Sequence, residues 1–415
     1  MPHRLKLLLA CAFLCCSLYT GAQDSPNVSD ANPQPLRIWL PAPLISDESS
    51  DAFQLLSEHT AEFIANNEIG VQFRIKDVGK IGGIMATIRA GKEVAPGALP
   101  DVTLIRRRDL TPTQASEYLQ SLETLFSSSV LNDLAGGIDF GQIPLEDERT
   151  LFGLPYLFDM LIAVHAQPLV KTGAGLSFND VLANEANFLF PAARVSGLNQ
   201  TFYLQYLAAG GSIPSDGLMA INEGALQKVL QFYEDLLRNG LISPDVLTYQ
   251  SPASYLNDFI NRDDRLQLAI FSVSDYLTMI QQQEAALLAT EIPTVDANAS
   301  SILNGWLWIL VTPDRNRQAL AARFIEWMME PAFHADFARA LYHLPSQPAI
   351  LSDSLPPDTD VNFFAQLLAS SVLPLPEGEA GPAPRLMQEA LKHVLHGDAT
   401  ASQATQDALS QLAER

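Results

Sequence analysis

Apolar and polar positions along the first hundred mature residues change rhythm repeatedly. "LRIWLP" (36–41) is a compact apolar run of strand length. In "DAFQLLSEHTAEFIANN" (51–67), Phe53, Leu56, Phe63 and Ile64 recur at helical spacing. "VQFRI" (71–75) alternates with a period of two. "GIMATIRAG" (83–91) predicts a short helix stopped by Gly91, and "PDVTLI" (100–105) a further strand. This β-α-β-α-β order predicts a mainly parallel sheet covered by helices.

The later chain repeats the theme with longer helices. "INEGALQKVLQFYEDLLRNG" (221–240) sets Leu226, Val229, Leu230, Tyr233 and Leu237 on one face, with Asn222 as cap and Gly240 as stop. "LQLAIFSV" (266–273) and "WLWILV" (306–311) predict strands, and "NRQALAARFIEWMME" (316–330) a helix ended by Pro331. "PRLMQEALKHVLHG" and "ASQATQDALSQLAER" add two helices. The proline-rich stretch 355–384 reads as loop around "FFAQLLASS".

One apolar stretch, "LFGLPYLFDMLIAVHAQPLV" (151–170), approaches the length of a membrane span. Pro155, Asp159 and Pro168 are each costly in a lone span, so it reads instead as a Gly-Leu-Pro-Tyr bend followed by a strand through Met160–Val164.

The formal net charge of −22 disfavours a broad nucleic-acid surface. With 47% hydrophobic residues, a sizeable core is expected. Arg4 and Lys6 precede the apolar "LLLACAFLCCSL" (7–18), and "TGA" (20–22) supplies small residues before Gln23. This is the pattern of a signal peptide over 1–22, followed by a flexible lead-in over 23–35. The protein is therefore expected to be exported, to a periplasm or outside the cell. All three cysteines (Cys11, Cys15, Cys16) fall in this segment, which removes disulfides and thiolate sites from the mature chain. In a competing reading "LLAC" (8–11) is a lipobox and Cys11 a lipidated N-terminus.

The chain resembles the extracellular solute-binding proteins of ABC importers, family 1, which includes maltose-binding protein. The resemblance rests on the strand and helix of 36–65, "GIMATIRAGKEVAPGALPDVTLI" (83–105) and "LFGLPYLFDMLIAVH" (151–165). It continues in "FYEDLLRNGLISPDV" (232–246), "LQLAIFSVSDYL" (266–277) and 304–351. It implies an α/β, two-lobed periplasmic-binding-protein-like fold, with mainly parallel sheets, a hinge and an interlobe cleft. Lobe 1 would comprise 36–158 plus 303–343, and lobe 2 164–295 plus 350–415. Hinge segments are expected at 159–163, 293–303 and 343–350. The implied function is capture of a small polar solute, a sugar or oligosaccharide, for delivery to the permease subunits of the transporter. A monomer with no cofactor and no nucleic-acid partner is expected.

The same resemblance places ligand contacts in loops after strands: 41–45, 106–108, 155–159, 196–203, 272–276, 304–308 and 342–345. Sugars pack a C–H face on an aromatic ring while their hydroxyls bond polar neighbours. Trp306 and Tyr156, each beside a Gly or Pro, are the leading candidates, with Tyr203, Ser272, Tyr276 and Tyr342 in the other loops. Trp39, Trp308 and Trp327 read as packing residues. "IRRRDL" (105–110) is a local charge anomaly in so acidic a chain. Arg106 and Arg108 are its candidates, and if they reach the cleft a sugar phosphate or other anionic solute gains weight. Asp159, Asp275 and Tyr276 are weaker polar candidates, with Asp159 alternatively a hinge residue held by backbone N–H groups.

Enzyme motifs are absent. There is no G-x-S-x-G elbow and no H-E-x-x-H, and "AGKEV" (90–94) fails as a P-loop because Ala86 and Glu93 occupy required positions. His393 and His396 are spaced as a metal pair but lack further ligands nearby. No metal site and no catalytic residue is assigned. A secreted glycoside hydrolase using two carboxylates, or a ligand sensor on the same scaffold, are the alternatives.

Overall fold

In a computed structural model of the protein, the described residues are 34–414, apart from 80, 135–136, 146–147, 195–196, 213–219, 262–264, 283–285 and 376–380. The signal segment 1–22, Cys11 and nearly all of the lead-in lie outside them. Eleven strands are present among these residues: β1 (Leu36–Pro41), β2 (Val71–Lys76), β3 (Val102–Arg106), β4 (Gln142–Leu145), β5 (Glu148–Leu151), β6 (Gly153–His165), β7 (Asn187–Leu189), β8 (Gln267–Ser272), β9 (Leu288–Thr290), β10 (Leu303–Leu310) and β11 (Leu344–Pro345). The main sheet has the order β2-β1-β3-β10-β6-β8-β7, with β9 and β11 also paired to β6, while β4 and β5 form a separate ribbon.

The α/β class and the parallel β2-β1-β3 and β7-β8 segments follow the sequence pattern. Antiparallel β10 lies between β3 and β6, and β8 pairs antiparallel with β6, so the sheet is mixed at its centre. The strands that break the parallel run are those that return to β6 from distant sequence, which local periodicity does not reveal.

Residues 151–170 do not bend and then start a strand. β6 runs unbroken from Gly153 to His165. Its first half pairs with β10 and β11, and its second half with β8 and β9. Pro155 fits because the register shifts there: Trp306 faces Leu157 and Leu307 faces Pro155, leaving Tyr156 as the extra residue of a bulge. The freed carbonyls find other donors. Ser346 Oγ donates to Pro155 O over 2.8 Å, and Ser346 N–H to Tyr156 O over 3.0 Å. His334 Nε2 lies 2.7 Å from Tyr156 O. Because a carbonyl only accepts, Nε2 carries the proton and Nδ1 faces the Gln347 amide group at 2.8 Å. Burial holds the His334 imidazole down to about 4, so it is neutral at pH 7.

Three buried clusters form the core. One lies at β1, β3 and β10 with the helices Arg315–Met328 and Pro331–Ala340, and includes Ile38, Leu104, Tyr156, Trp308 and Phe324. A second holds Phe188, Tyr203, Phe232, Tyr233 and Leu391, where Glu223–Arg238 packs against the C-terminal helices Ala383–His396 and Ala401–Ala413. The third follows β6 across both halves through Phe158, Met160, Phe271 and Phe364. Trp39 and Trp308 are buried core residues, and Trp327 stacks on His59.

Helix boundaries largely match their signals. Asn222 caps Glu223–Arg238 by accepting from Ala225 N–H. Asp314 caps Arg315–Met328, and Pro331 begins the next helix as well as ending the last. Gly91 does not stop its helix, which runs from Ile84 to Val94. Its missing Cβ admits Leu99, whose Cδ2 would otherwise stand 2.7 Å away. Packing, not termination, explains this glycine.

Candidate functional site

A cavity of about 440 Å³ opens at the C-terminal ends of β1, β3, β7 and β8, beside the start of β10 and the middle of β6. That volume lies within the roughly 300–1,000 Å³ typical of small-molecule sites, and strand ends are where α/β sheets place ligands. Each wall follows from local structure. Pro43 and Leu44 come from the turn after β1, and Arg106 and Arg108 from the end of β3. Asp159 and Leu161 alternate on β6 so that both face inward. The segment after β7 supplies Pro191, Ala193, Arg194 and Asn199–Thr201. Ser272, Ser274 and Asp275 stand where β8 turns into the helix Val273–Gln281. Asn304, Gly305 and Trp306 open β10, and His343 precedes β11.

The polar groups of the wall are held in place by one another. Ser272 caps its helix reciprocally with Asp275, whose Oδ2 accepts from Ser272 Oγ at 2.7 Å. Ser274 donates its backbone N–H to Asp159 Oδ1 at 3.1 Å and its hydroxyl to Asp159 Oδ2 at 2.8 Å. The Asn304 amide donates to Gln200 Oε1 at 3.2 Å. Trp306 Nε1–H donates to His343 Nε2 at 3.3 Å, while His343 Nδ1 lies 2.6 Å from Leu341 O. Both contacts are satisfied by the tautomer protonated at Nδ1. Arg106 forks onto the Asp109 carboxylate, at 2.6 and 3.0 Å.

Burial raises the Asp159 carboxyl above its ordinary range. His343 and the two Ser274 bonds oppose that rise, and the Asp275 charge adds to it. A carboxyl with a raised folded-state pKa binds its proton more readily folded than unfolded, so its ionised form is the costly one at neutral pH. Asp159→Asn keeps an acceptor for Ser274 and removes that charge. The variant is therefore expected to melt at a higher temperature than wild type at pH 7, an advantage that shrinks on acidification as the wild-type carboxyl is protonated. Parallel melting curves across pH, without ligand, check this; a lower melting temperature at pH 7 would contradict it.

Six of the residues singled out by sequence come together here: Arg106, Arg108, Asp159, Ser272, Asp275 and Trp306. Four tyrosines do not. Tyr156 is fully buried, stacked on His334 with ring centroids 4.6 Å apart and 5.4 Å from Trp308. Tyr203 and Tyr276 are buried on helices, and Tyr342, at φ 56°, packs on the core beside β6. For Tyr203 and Tyr276 the physical reason is capping. Helices start at the strand ends, so Asn199 and Ser272 present their caps near the cavity while the next turn rotates Tyr203 and Tyr276 into the core. The Tyr156 hydroxyl has no hydrogen-bond partner. Tyr156→Phe should accordingly leave stability unchanged or raise it by about 1 kcal/mol in chemical denaturation, since a buried orphan is removed.

Sequence reading missed Arg194, Gln200, Ser274, Asn304 and His343. Most lie in loops already expected to bear ligand contacts, but no pattern distinguishes them from neighbours. Arg194 lies outside every such loop; the apolar "NFLF" ending at Pro191 was its available signal. Among the described residues no group of three or more His, Asp or Glu side chains is arranged to hold a metal, and no helix is long and apolar enough to cross a membrane.

No protein-family model matches the chain, and no curated protein matches it in sequence. Solved structures do match it in fold. The cyclic alpha-maltosyl-1,6-maltose binding protein of Arthrobacter globiformis aligns with a TM-score of 0.70 at 15% identity, covering 91% of this chain and 97% of its own. The maltose-binding periplasmic protein of Listeria monocytogenes, in complex with maltose, gives 0.68 at 12% identity over 91% and 96%. An ABC transporter solute-binding protein of Thermotoga lettingae, bound with alpha-D-tagatose, gives 0.63 at 17% identity over 91% and 98%. The chain thus has the α/β fold of the maltose-binding-protein-like solute-binding proteins that its sequence resembles.

Proposed function

We propose that the protein is the solute-binding component of an ABC importer, capturing a sugar or small oligosaccharide in this cavity and delivering it unchanged to a membrane permease. The observation that carries the proposal is the cavity's position. It straddles the point where β6 passes from one half of the sheet to the other, and both halves contribute hydrogen-bonding side chains. Structures of the same fold hold maltose and tagatose.

In this reading 36–158 plus 303–343 form one lobe and 164–295 plus 350–415 the other, with hinges at 159–163, 293–303 and 343–350. The Asn304–Gln200 bond would then be a latch between lobes, while the Asp159–Ser274 bonds would tie a hinge segment to the second lobe. Ligand favours the closed arrangement only to the extent that its contacts are absent from the open one. The protein would act outside the cytoplasm, free after signal cleavage or anchored through Cys11.

Thermal shift of the purified protein against a saccharide panel, with product analysis of the same mixtures, tests the reading. Binding raises the melting temperature while the sugar is recovered intact. Turnover abolished by Asp159→Asn would instead establish the hydrolase.

A further inference from the structure

The charge of the cavity wall runs against that of the chain. The whole sequence carries 25 Lys and Arg against 47 Asp and Glu, yet the wall carries Arg106, Arg108 and Arg194 against Asp159 and Asp275. The two carboxylates are already committed, Asp159 to Ser274 and Asp275 to Ser272. Both stand at the N-terminal end of the helix Val273–Gln281, whose backbone N–H groups favour negative charge. The arginines come from separated places, Arg106 and Arg108 from the end of β3 and Arg194 from the segment after β7, so they face the cavity from both halves of the sheet.

The wall also lacks what a neutral sugar ring uses most. Trp306 is the only Trp, Tyr or Phe of the wall among the described residues, and it is only 5% exposed. Its N–H is spent on His343. Stacking on a broad ring face therefore contributes little, and recognition falls to hydrogen bonds and charge. A guanidinium presents paired donors that match a carboxylate or phosphate in a way a hydroxyl does not.

From this wall we infer that the solute is an anionic saccharide, a small sugar bearing a carboxylate or a phosphate, with Arg108 and Arg194 as the residues that set the preference for the charged form. Arg106 is forked on Asp109, which offsets its charge, and it supports the end of β3. The inference rests on the solute-binding reading above and specifies its substrate class.

Isothermal titration of the full chain with glucuronate, galacturonate and glucose 6-phosphate, beside glucose, galactose and maltose, tests it. The expected result is at least tenfold tighter binding of one charged sugar than of its neutral parent, weakened by added salt. The uronate and phosphate arms decide which anion is read. In Arg108→Gln and Arg194→Gln the ratio of charged to neutral affinity should fall at least tenfold, and Arg108→Lys should recover part of it; melting curves confirm that each variant is folded. Neutral sugars bound as tightly as their charged counterparts, or a ratio unmoved in both Gln variants, would overturn the inference and leave the solute-binding reading standing. Failure of every saccharide, charged and neutral, in a folded protein would overturn both.

Discussion

Asp101→Asn should lower unfolding stability by about 3 kcal/mol at pH 7 while leaving ligand affinity of the folded protein intact. The Asp101 side chain is 0% exposed and collects a cluster of donors at the start of β3. Arg317 approaches it through Nε at 2.6 Å and also through Nη2, and Arg37 donates its backbone N–H at 2.8 Å and a guanidinium N–H at 3.5 Å. Asp101 O accepts from Val311 N–H at the end of β10, and Arg317 Nη2 reaches Pro35 O. One carboxylate thereby joins β1, β3 and a helix, while the backbone carbonyl of the same residue reaches the end of β10. Without its charge, two guanidinium groups lose their anionic partner and one of its two acceptor oxygens. Both keep some water, at 21% and 26% side-chain exposure, which places the cost at the lower end of the range for broken buried pairs.

The same network carries a pH signature. Burial alone would raise the Asp101 pKa, but the bonds and charges of Arg317 and Arg37 outweigh it and hold the carboxyl below its ordinary value. A depressed carboxyl contributes its stability fully above the unfolded-state value of 3.8 and loses it as pH falls through the folded one. The gap between wild type and Asp101→Asn should therefore be full at neutral pH and close under strong acid. Urea denaturation at several pH values measures it, and a loss below about 1 kcal/mol at pH 7 would refute the account. Ligand affinity should survive because this network sits at the end of β3 opposite the cavity.

A second large effect is expected at Gly305. Its φ of 148° is rarely open to other residues, and a Cβ there would stand 2.2 Å from Leu157 O and 3.0 Å from Phe158 Cα. Neither neighbour can yield, since both belong to the β6 backbone. Gly305→Ala must push β10 away from β6 at the bulge, at a cost of about 3 kcal/mol or more from strain and lost pairing together. The displaced residues, Asn304 and Trp306, both line the cavity, so ligand binding should be lost along with stability. Thermal melting and titration of the alanine variant read both effects. A melting temperature and affinity equal to wild type would contradict the claim that this contact positions the site.

These two positions mark the boundary of what was legible in the chain. The early β-α-β-α-β order, the capped helix after Asn222 and the packing roles of Trp39 and Trp308 were all readable, because each depends on residues within one or two turns or strands. Asp101 passed without notice, since its partners Arg37 and Arg317 are 64 and 216 residues away. Tyr156 was misplaced for a related reason. Its neighbour Pro155 suggests a bend, but pairing with β10 and β11 keeps the strand continuous and absorbs the proline in a bulge.

For the candidate site, the family resemblance of the sequence pointed to loops after strands, and so brought Arg106, Arg108, Asp159, Ser272 and Trp306 within view. Local hydrophobic period marks roughly where a strand stops, and the resemblance adds which of those ends would bear ligand contacts. Only the tertiary structure decided which side chains face inward. That choice depends on the register of β6 against β10, on helices capped at Asn199 and Ser272 that turn two tyrosines into the core, and on Arg194 arriving from the opposite half of the sheet. Burial and facing are properties of packed surfaces, and no run of neighbouring residues encodes them alone.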